Sequence, residues 1–275
     1  MAEEMRDAFG KMLVTLGREN PRIFVLDADL NTSTKTDYFA EAFPKRFIQC
    51  GVAEQNMMGI AAGLAAVGLI PFPTTFAVFA TKRACDQVSI SIAYPRLNVK
   101  IPGCYPGLPT GKAGATHQSV EDLAIMRAMP HMRVVDPGDN DELRQVMRAA
   151  VDYCGPVYFR VTRPALPEIA WPQGYQFEWG RAVTLREGND VALLGTGFMT
   201  SYCLQAAELL ARDGIEARVD HHPCLKPMDQ EAVATAARQT GAIVTAENHS
   251  IIGGMGGAVA EALAETFPVP MLRVG

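Results

Sequence analysis

The chain has 275 residues, 48% of them hydrophobic and 20% charged, enough for one large domain or two of ordinary size around a sizeable core. Its formal charge of −5 is spread without a basic block, which argues against nucleic acid or an anionic membrane as partner. No stretch reaches the ~18 uninterrupted apolar residues of a membrane span, and MAEEMRDAFGKML lacks a signal-like apolar core. Six scattered cysteines (Cys50, Cys85, Cys104, Cys154, Cys203, Cys224) form no C-x-x-C pair, so the expectation is a cytoplasmic protein with reduced thiols and no metal site.

Taken in order, the segments alternate between helical and strand-like character, the pattern of a parallel sheet covered by helices. Met5–Gly17 has helical period. Arg22–Asp27 reads as a buried strand entering the polar loop Ala28–Lys35. Phe47–Cys50 is a short strand, and a helix rich in small residues follows over Ala53–Val67. Strands over Leu69–Phe72 and Asn98–Ile101 flank a helix over Phe79–Ala93. Then come helix His117–Met129, strand Arg133–Val135, helix Asp139–Tyr153 and strand Val157–Val161. The run over 164–180 carries three prolines and no periodicity, so it reads as a linker. The alternation resumes with strand Val191–Leu194, helix Thr200–Asp213, strand Ala217–Asp220, helix Asp229–Thr240, strand Ala242–Ala246 and helix Gly256–Thr266. The expected fold is therefore α/β in two three-layer domains, residues 1–165 and 182–275, joined by 166–181.

Three segments have the composition of a functional site. In GVAEQNMMGIAAGLAAVG, Glu54 is the one carboxylate in the first turn of an otherwise apolar helix. The helix dipole favours its ionised form and burial opposes it. Such a group either caps the helix or faces a ligand, and the small residues after it allow another helix to approach closely. In TTFAVFATKR, Phe76 and Phe79 are three apart and share a helical face, as core or as a platform for a flat heterocycle. PGCYPGLPTGKAGATHQ is a long Gly/Pro/Thr loop ending at His117, a structural cap or a polar catalytic group. Two other glycine-rich turns are weaker. GTGFMT places Thr200 where a dinucleotide fingerprint needs its third glycine. Gly253–Gly257 opens a helix and suits either a phosphate or a tight turn.

Together these segments resemble the transketolase family over nearly the whole chain. GVAEQNMMGIAAGLA is similar to its pyrimidine-binding signature, TTFAVFATKRACDQV to its aromatic cofactor helix, and GATHQSVEDLAIMRAMPHMRVVDPGD to the stretch beyond. LKPMD at 225–229 and TAENHSIIGGMGGAVAE at 245–261 are similar to its C-terminal domain. The resemblance implies a thiamine-diphosphate pyrimidine-binding domain followed by a transketolase C-terminal-like domain. It implies that Glu54 hydrogen-bonds N1′ of the cofactor's aminopyrimidine, promoting deprotonation of the thiazolium C2. Phe79, with Phe76 beside it, stacks on that ring. Asp29 lies near the cofactor, and His117 faces the reacting carbons as a proton shuttle or charge stabiliser. Arg6, Ser33 and Arg163 hold the phosphate end of a sugar substrate.

The family's diphosphate-binding element, a Gly-Asp-Gly with a distant Asn, is not found here, and the resemblance implies a separate partner chain holding Mg²⁺ and the diphosphate, in an α₂β₂ assembly. Two positions depart from transketolases acting on sugar phosphates. Tyr105 replaces a phosphate-binding histidine and Ala113 an aspartate that reads a donor hydroxyl, which implies an altered donor. Family C-terminal domains usually continue beyond an end such as PVPMLRVG. The function expected is transfer of a two-carbon ketol unit from a ketose-phosphate-like donor to an aldehyde. The alternatives are the β subunit of a 2-oxo-acid decarboxylase or dehydrogenase, a deoxyxylulose-phosphate-synthase-like enzyme, or a degenerate non-catalytic subunit.

Overall fold

The computed structural model describes residues 3–275. Its strands form two sheets. The first is β10-β5-β6-β4-β3-β1-β2 and the second β12-β11-β8-β9-β7. In chain order they are β1 Ile23–Asp27, β2 Phe47–Gln49, β3 Ile70–Phe76, β4 Lys100–Cys104, β5 Arg133–Val135, β6 Val157–Val161, β7 Val183–Arg186, β8 Val191–Gly195, β9 Ala217–His221, β10 Cys224–Lys226, β11 Ile243–Ala246 and β12 Met271–Val274. All neighbours run parallel except β10 against β5 and β7 against β9. The inner strands β3, β4 and β6 are buried along their whole length, as a parallel sheet covered on both faces requires.

The helices are α1 Met5–Glu19, α2 Asn31–Thr34, α3 Asp37–Ala42, α4 Glu54–Ala66, α5 Asp122–Ala128, α6 Asn140–Asp152, α7 Met199–Arg212, α8 Gln230–Thr240 and α9 Met255–Glu265. Helices α1, α3 and α6 pack together on one side of the first sheet, and α4 and α5 lie on the other. In the second domain α7 covers one face, and α8 pairs with α9 on the other. Two α/β domains of three layers each are thus present.

Strand β3 runs four residues beyond the expected Leu69–Phe72, through two prolines. Pro71 and Pro73 are tolerated because the Ile70 amide points to the β1 side, donating to the Arg22 carbonyl, so the prolines' missing donors face the other way. There β4 pairs only from Thr75 and Phe76 onward. The expected helix over Phe79–Ala93 is two π-helical stretches, Phe79–Arg83 and Gln87–Ala93. The helix expected from His117 begins only at Asp122. Gly111 and Gly114 adopt left-handed conformations and keep the preceding loop in short turns.

The proline-rich run is laid along α6 rather than free. Asp139 accepts from the Ile169 amide and the Trp171 indole, and Gln145 accepts from the Phe177 amide. Strand β10, not expected from the sequence, comes from the chain after β9 and closes the edge of the first sheet against β5. Below it, buried Arg160 donates to Asp122, to Asp136 and to the Asn248 carbonyl. His221 meets Glu142 at 2.8 Å. These contacts fasten the two sheets together.

Candidate functional site

Parallel strands bring their C-terminal ends, and the loops that follow, to one edge of the sheet, where ligands of open α/β folds bind. Here β3 delivers Phe76 and Phe79, β4 delivers Tyr105 and the loop to His117, and β6 delivers Arg163. Residues Arg6 of α1 and Ser33 of α2 join them.

Phe76 ends β3 and Phe79 begins the π-helical turn, so they do not share one helix. Their rings nevertheless stack at 5.9 Å with a 19° interplanar angle, because the chain turns between them. His117 sets its edge against both, at 5.3 Å from Phe79 and 6.0 Å from Phe76. Its Nδ1 lies 2.9 Å from the Thr116 hydroxyl. Two clefts border these rings, one through Phe76 and the other through Arg83 over Phe79.

The first is a cleft of about 390 Å³ lined by Arg6, Ser33, Phe76, Tyr105, Ala113 and Arg163. The Tyr105 hydroxyl accepts from Arg6 at 2.8 Å and donates to the Ser33 carbonyl at 2.7 Å. Its ring stacks on Phe76 at 4.5 Å, with the Arg163 guanidinium 5.3 Å away. Burial pushes the Tyr105 phenol up, although Arg6 opposes this. Arg163 also donates to the Thr110 carbonyl, and Thr110 in turn donates to the Tyr105 carbonyl. Two guanidinium groups therefore line an open cleft; Arg6 is also paired through its Nε with Glu4 at 2.5 Å, and the remaining donors of the two arginines suit an anion. Ala113 is exposed at the cleft's rim and brings no polar side chain of its own.

At the second lies Glu54, at the first turn of α4 and only 4% exposed. It lines a wide cleft of about 670 Å³ with Val52, Ala53, Gln55, Asn56 and Arg83. Arg83 donates to the Glu54 carboxylate at 3.0 Å, and its guanidinium sits 4.1 Å over the Phe79 ring. The geometry presents a buried acceptor beside an aromatic face, which fits a flat heterocycle carrying N–H donors. Nothing in the sequence marks Arg83, because only the fold places it against Glu54.

Asp29 is the predicted site residue least engaged. It is exposed, in a left-handed conformation, and its amide donates to Gln49. The buried carboxylate of that loop is Asp27, which accepts from Thr34, Thr36 and the Leu30 amide. Burial pushes its pKa up against those hydrogen bonds.

Both weaker glycine-rich turns are filled by the protein itself. A Cβ at Gly197 would stand 2.6 Å from the Asp136 carboxylate, and the Gly197 amide donates to the Asp136 carbonyl at 3.1 Å, so the GTGFMT turn serves interdomain packing. At the start of α9 the Glu247 carboxylate accepts from the Met255 and Gly256 amides, each at 2.7 Å, and takes the place of a phosphate. Among the described residues no cluster of three His, Cys, Asp or Glu could hold a metal ion. No described helix is long and apolar enough to cross a membrane.

Two families of known domains match the chain, the transketolase pyrimidine-binding domain over residues 2–168 and the transketolase C-terminal domain over 180–275. A 6-deoxy-6-sulfo-D-fructose transketolase subunit of Clostridium sp. (strain MSTE9) is 46% identical over 98% of this chain and 84% of its own length. An apulose-4-phosphate transketolase subunit of Phocaeicola vulgatus is 39% identical over 98% of this chain and 86% of its own. A 1-deoxy-D-xylulose-5-phosphate synthase of Thermomicrobium roseum is 38% identical over 98% of this chain but 43% of that protein. A solved split-gene transketolase, described as an inactive β4 tetramer, superposes with a TM-score of 0.92 at 50% identity, covering all of this chain and 90% of that one.

Proposed function

The chain belongs to the transketolase family, and we propose that it is the ring-binding half of a split, thiamine-diphosphate-dependent enzyme that moves a two-carbon ketol unit to an aldehyde. The observation that carries this reading is Glu54, a carboxylate 4% exposed beside the face of Phe79. A buried carboxylate needs a hydrogen-bonding partner. A protonated aminopyrimidine ring over Phe79 satisfies both groups at once.

When bound, the cofactor supplies the electron sink that C–C cleavage beside a carbonyl requires. This chain's residues do the rest. Glu54 holds the proton at the ring nitrogen N1′, while Phe79, backed by Phe76, fixes the ring plane. His117, on the edge of the same aromatic pair, takes or returns the proton of the reacting hydroxyl. Arg6, Arg163 and Ser33 bind the distant anion of the donor beside Tyr105, and the family resemblance assigns exposed Asp29 to the cofactor's vicinity. The relatives' names specify substrates ending in sulfonate or phosphate, and the paired arginines suit either group. Ala113 contributes no hydrogen bond to a donor hydroxyl, so we expect a donor configured differently from common ketose phosphates.

The diphosphate and its Mg²⁺ are assigned to a separate chain. Exposed Val52, Ile90 and Tyr94, together with the bare glycines Gly59 and Gly63 of α4, offer that chain an apolar seat beside Glu54. We infer an α₂β₂ assembly in the cytoplasm, with residues 1–165 as the pyrimidine-binding unit and 182–275 as the C-terminal one. The test is Glu54→Gln in the reconstituted complex. Turnover at saturating cofactor should fall at least ~100-fold, and unchanged turnover rules the mechanism out.

A further inference from the structure

We propose that Arg83 is a placeholder for the cofactor ring, making in the unloaded chain both contacts the aminopyrimidine makes in the loaded one, and leaving when the ring enters. This inference rests on the cofactor assignment above. A guanidinium and a protonated aminopyrimidine share one feature, a planar nitrogen framework with N–H donors in its plane and a cationic face. Arg83 uses both parts. Its Nη1 donates to Glu54 Oε1 at 3.0 Å, and the plane-bearing Cζ sits 4.1 Å over Phe79. No second flat group can lie directly over that part of Phe79 while the guanidinium is there.

The pairing has a physical cause. Glu54 is 4% exposed and, without a ligand, would be a buried carboxylate lacking a counter-charge, an expensive arrangement. Arg83 removes that penalty from an accessible position. Its own side chain is 50% exposed, and it closes the short π-helical stretch Phe79–Arg83 beside the wide cleft. The side chain can therefore swing into that cleft without opening the core. The neighbouring basic residue, Lys82, is committed elsewhere, to Glu121. Loading is thus an exchange of one flat cation for another on a carboxylate that never goes unpaired.

The experiment compares wild type with Arg83→Ala and Arg83→Met in two settings. In the full chain without cofactor, both variants should lower Tm by a few degrees, and the loss should vanish in a Glu54→Gln background, where no buried charge needs pairing. In the complex reconstituted with the diphosphate-binding chain, thiamine diphosphate affinity is read by quenching of intrinsic fluorescence. Arg83→Ala should lower Kd ~5-fold, an amount in keeping with a half-exposed ion pair. Arg83→Met, which keeps an apolar chain over Phe79 but no charge, should fall between. Equal or weaker affinity in Arg83→Ala would show that Arg83 supports the ring rather than standing in for it, and would overturn the proposal. A wild-type complex with no affinity for thiamine diphosphate would instead bring down the parent assignment.

Discussion

Arg160 and Lys100 both lie within the first domain with no exposed surface to speak of, and they solve burial in opposite ways. Arg160 stays charged between two carboxylates. Burial pushes the Asp122 carboxyl up, but Arg160 outweighs it and holds the group below its usual range. Removing one member of such a cluster strands the rest, so Arg160→Met should destabilise the chain by about 3–5 kcal/mol in urea titrations. Lys100 has no carboxylate partner. Its ammonium donates to the Tyr153 and Gly155 carbonyls, and burial pushes its pKa from 10.5 down to about 7. The unfolded chain then holds a proton that the folded chain has lost between about pH 7 and 10.5. Stability should accordingly rise with pH across that window, by at most ~1.4 kcal/mol per unit. Lys100→Met should remove that rise, which paired urea titrations at pH 7 and pH 9.5 would detect as a difference between the two proteins. Neither role is visible in the sequence, where both residues are ordinary cations in strands.

At the level of elements, α4 is the piece most exposed to a direct trial. A Cβ at Gly63 meets nothing, and the position lies on an open helical face. Gly63→Ala should therefore stabilise the free chain by about 0.5–1 kcal/mol through helix propensity alone. Gly63→Leu should leave the fold intact yet weaken assembly with the proposed diphosphate-binding chain at least ~10-fold, as sedimentation would show. Assembly unaffected by the leucine would move the partner surface elsewhere. This helix is legible in the sequence because thirteen residues of one period bear a single carboxylate, and that carboxylate, Glu54, sits in the first turn as its position in the run implies. The strands β7, β10 and β12 are not legible, being short and only partly apolar, with a pairing that depends on distant neighbours. The π-helical turns escape as well, since one extra residue per turn keeps helical composition while shifting every face. Arg83 closes the first of these stretches and reaches Glu54 across 29 residues of sequence, so that part of the site cannot be read from spacing.

For the whole molecule, the decisive contacts run between domains. Arg160 in the first domain reaches the Asn248 carbonyl in the second, and Lys226 of β10 donates to the Arg127 carbonyl at 2.9 Å. A Cβ at Gly107, whose φ is +65°, would collide with the Asn248 side chain. Contacts this closely fitted should make unfolding a single cooperative transition, with circular dichroism and tryptophan fluorescence superimposing in urea. Two resolved transitions would show that the domains melt separately. Gly107→Ala should lower the midpoint without splitting the transition.

Strand β10 carries a further consequence for anyone recombining relatives of this protein. A crossover placed in the proline-rich run would look safe, since it severs no helix and no strand. It would nonetheless replace the outermost strand of the upstream sheet with a foreign one, putting inherited Val134 and Val135 beside an unmatched donor sequence. Viable hybrids should therefore transplant the Cys224–Lys226 segment along with the host half, so that the genetic border and the structural border lie about fifty residues apart.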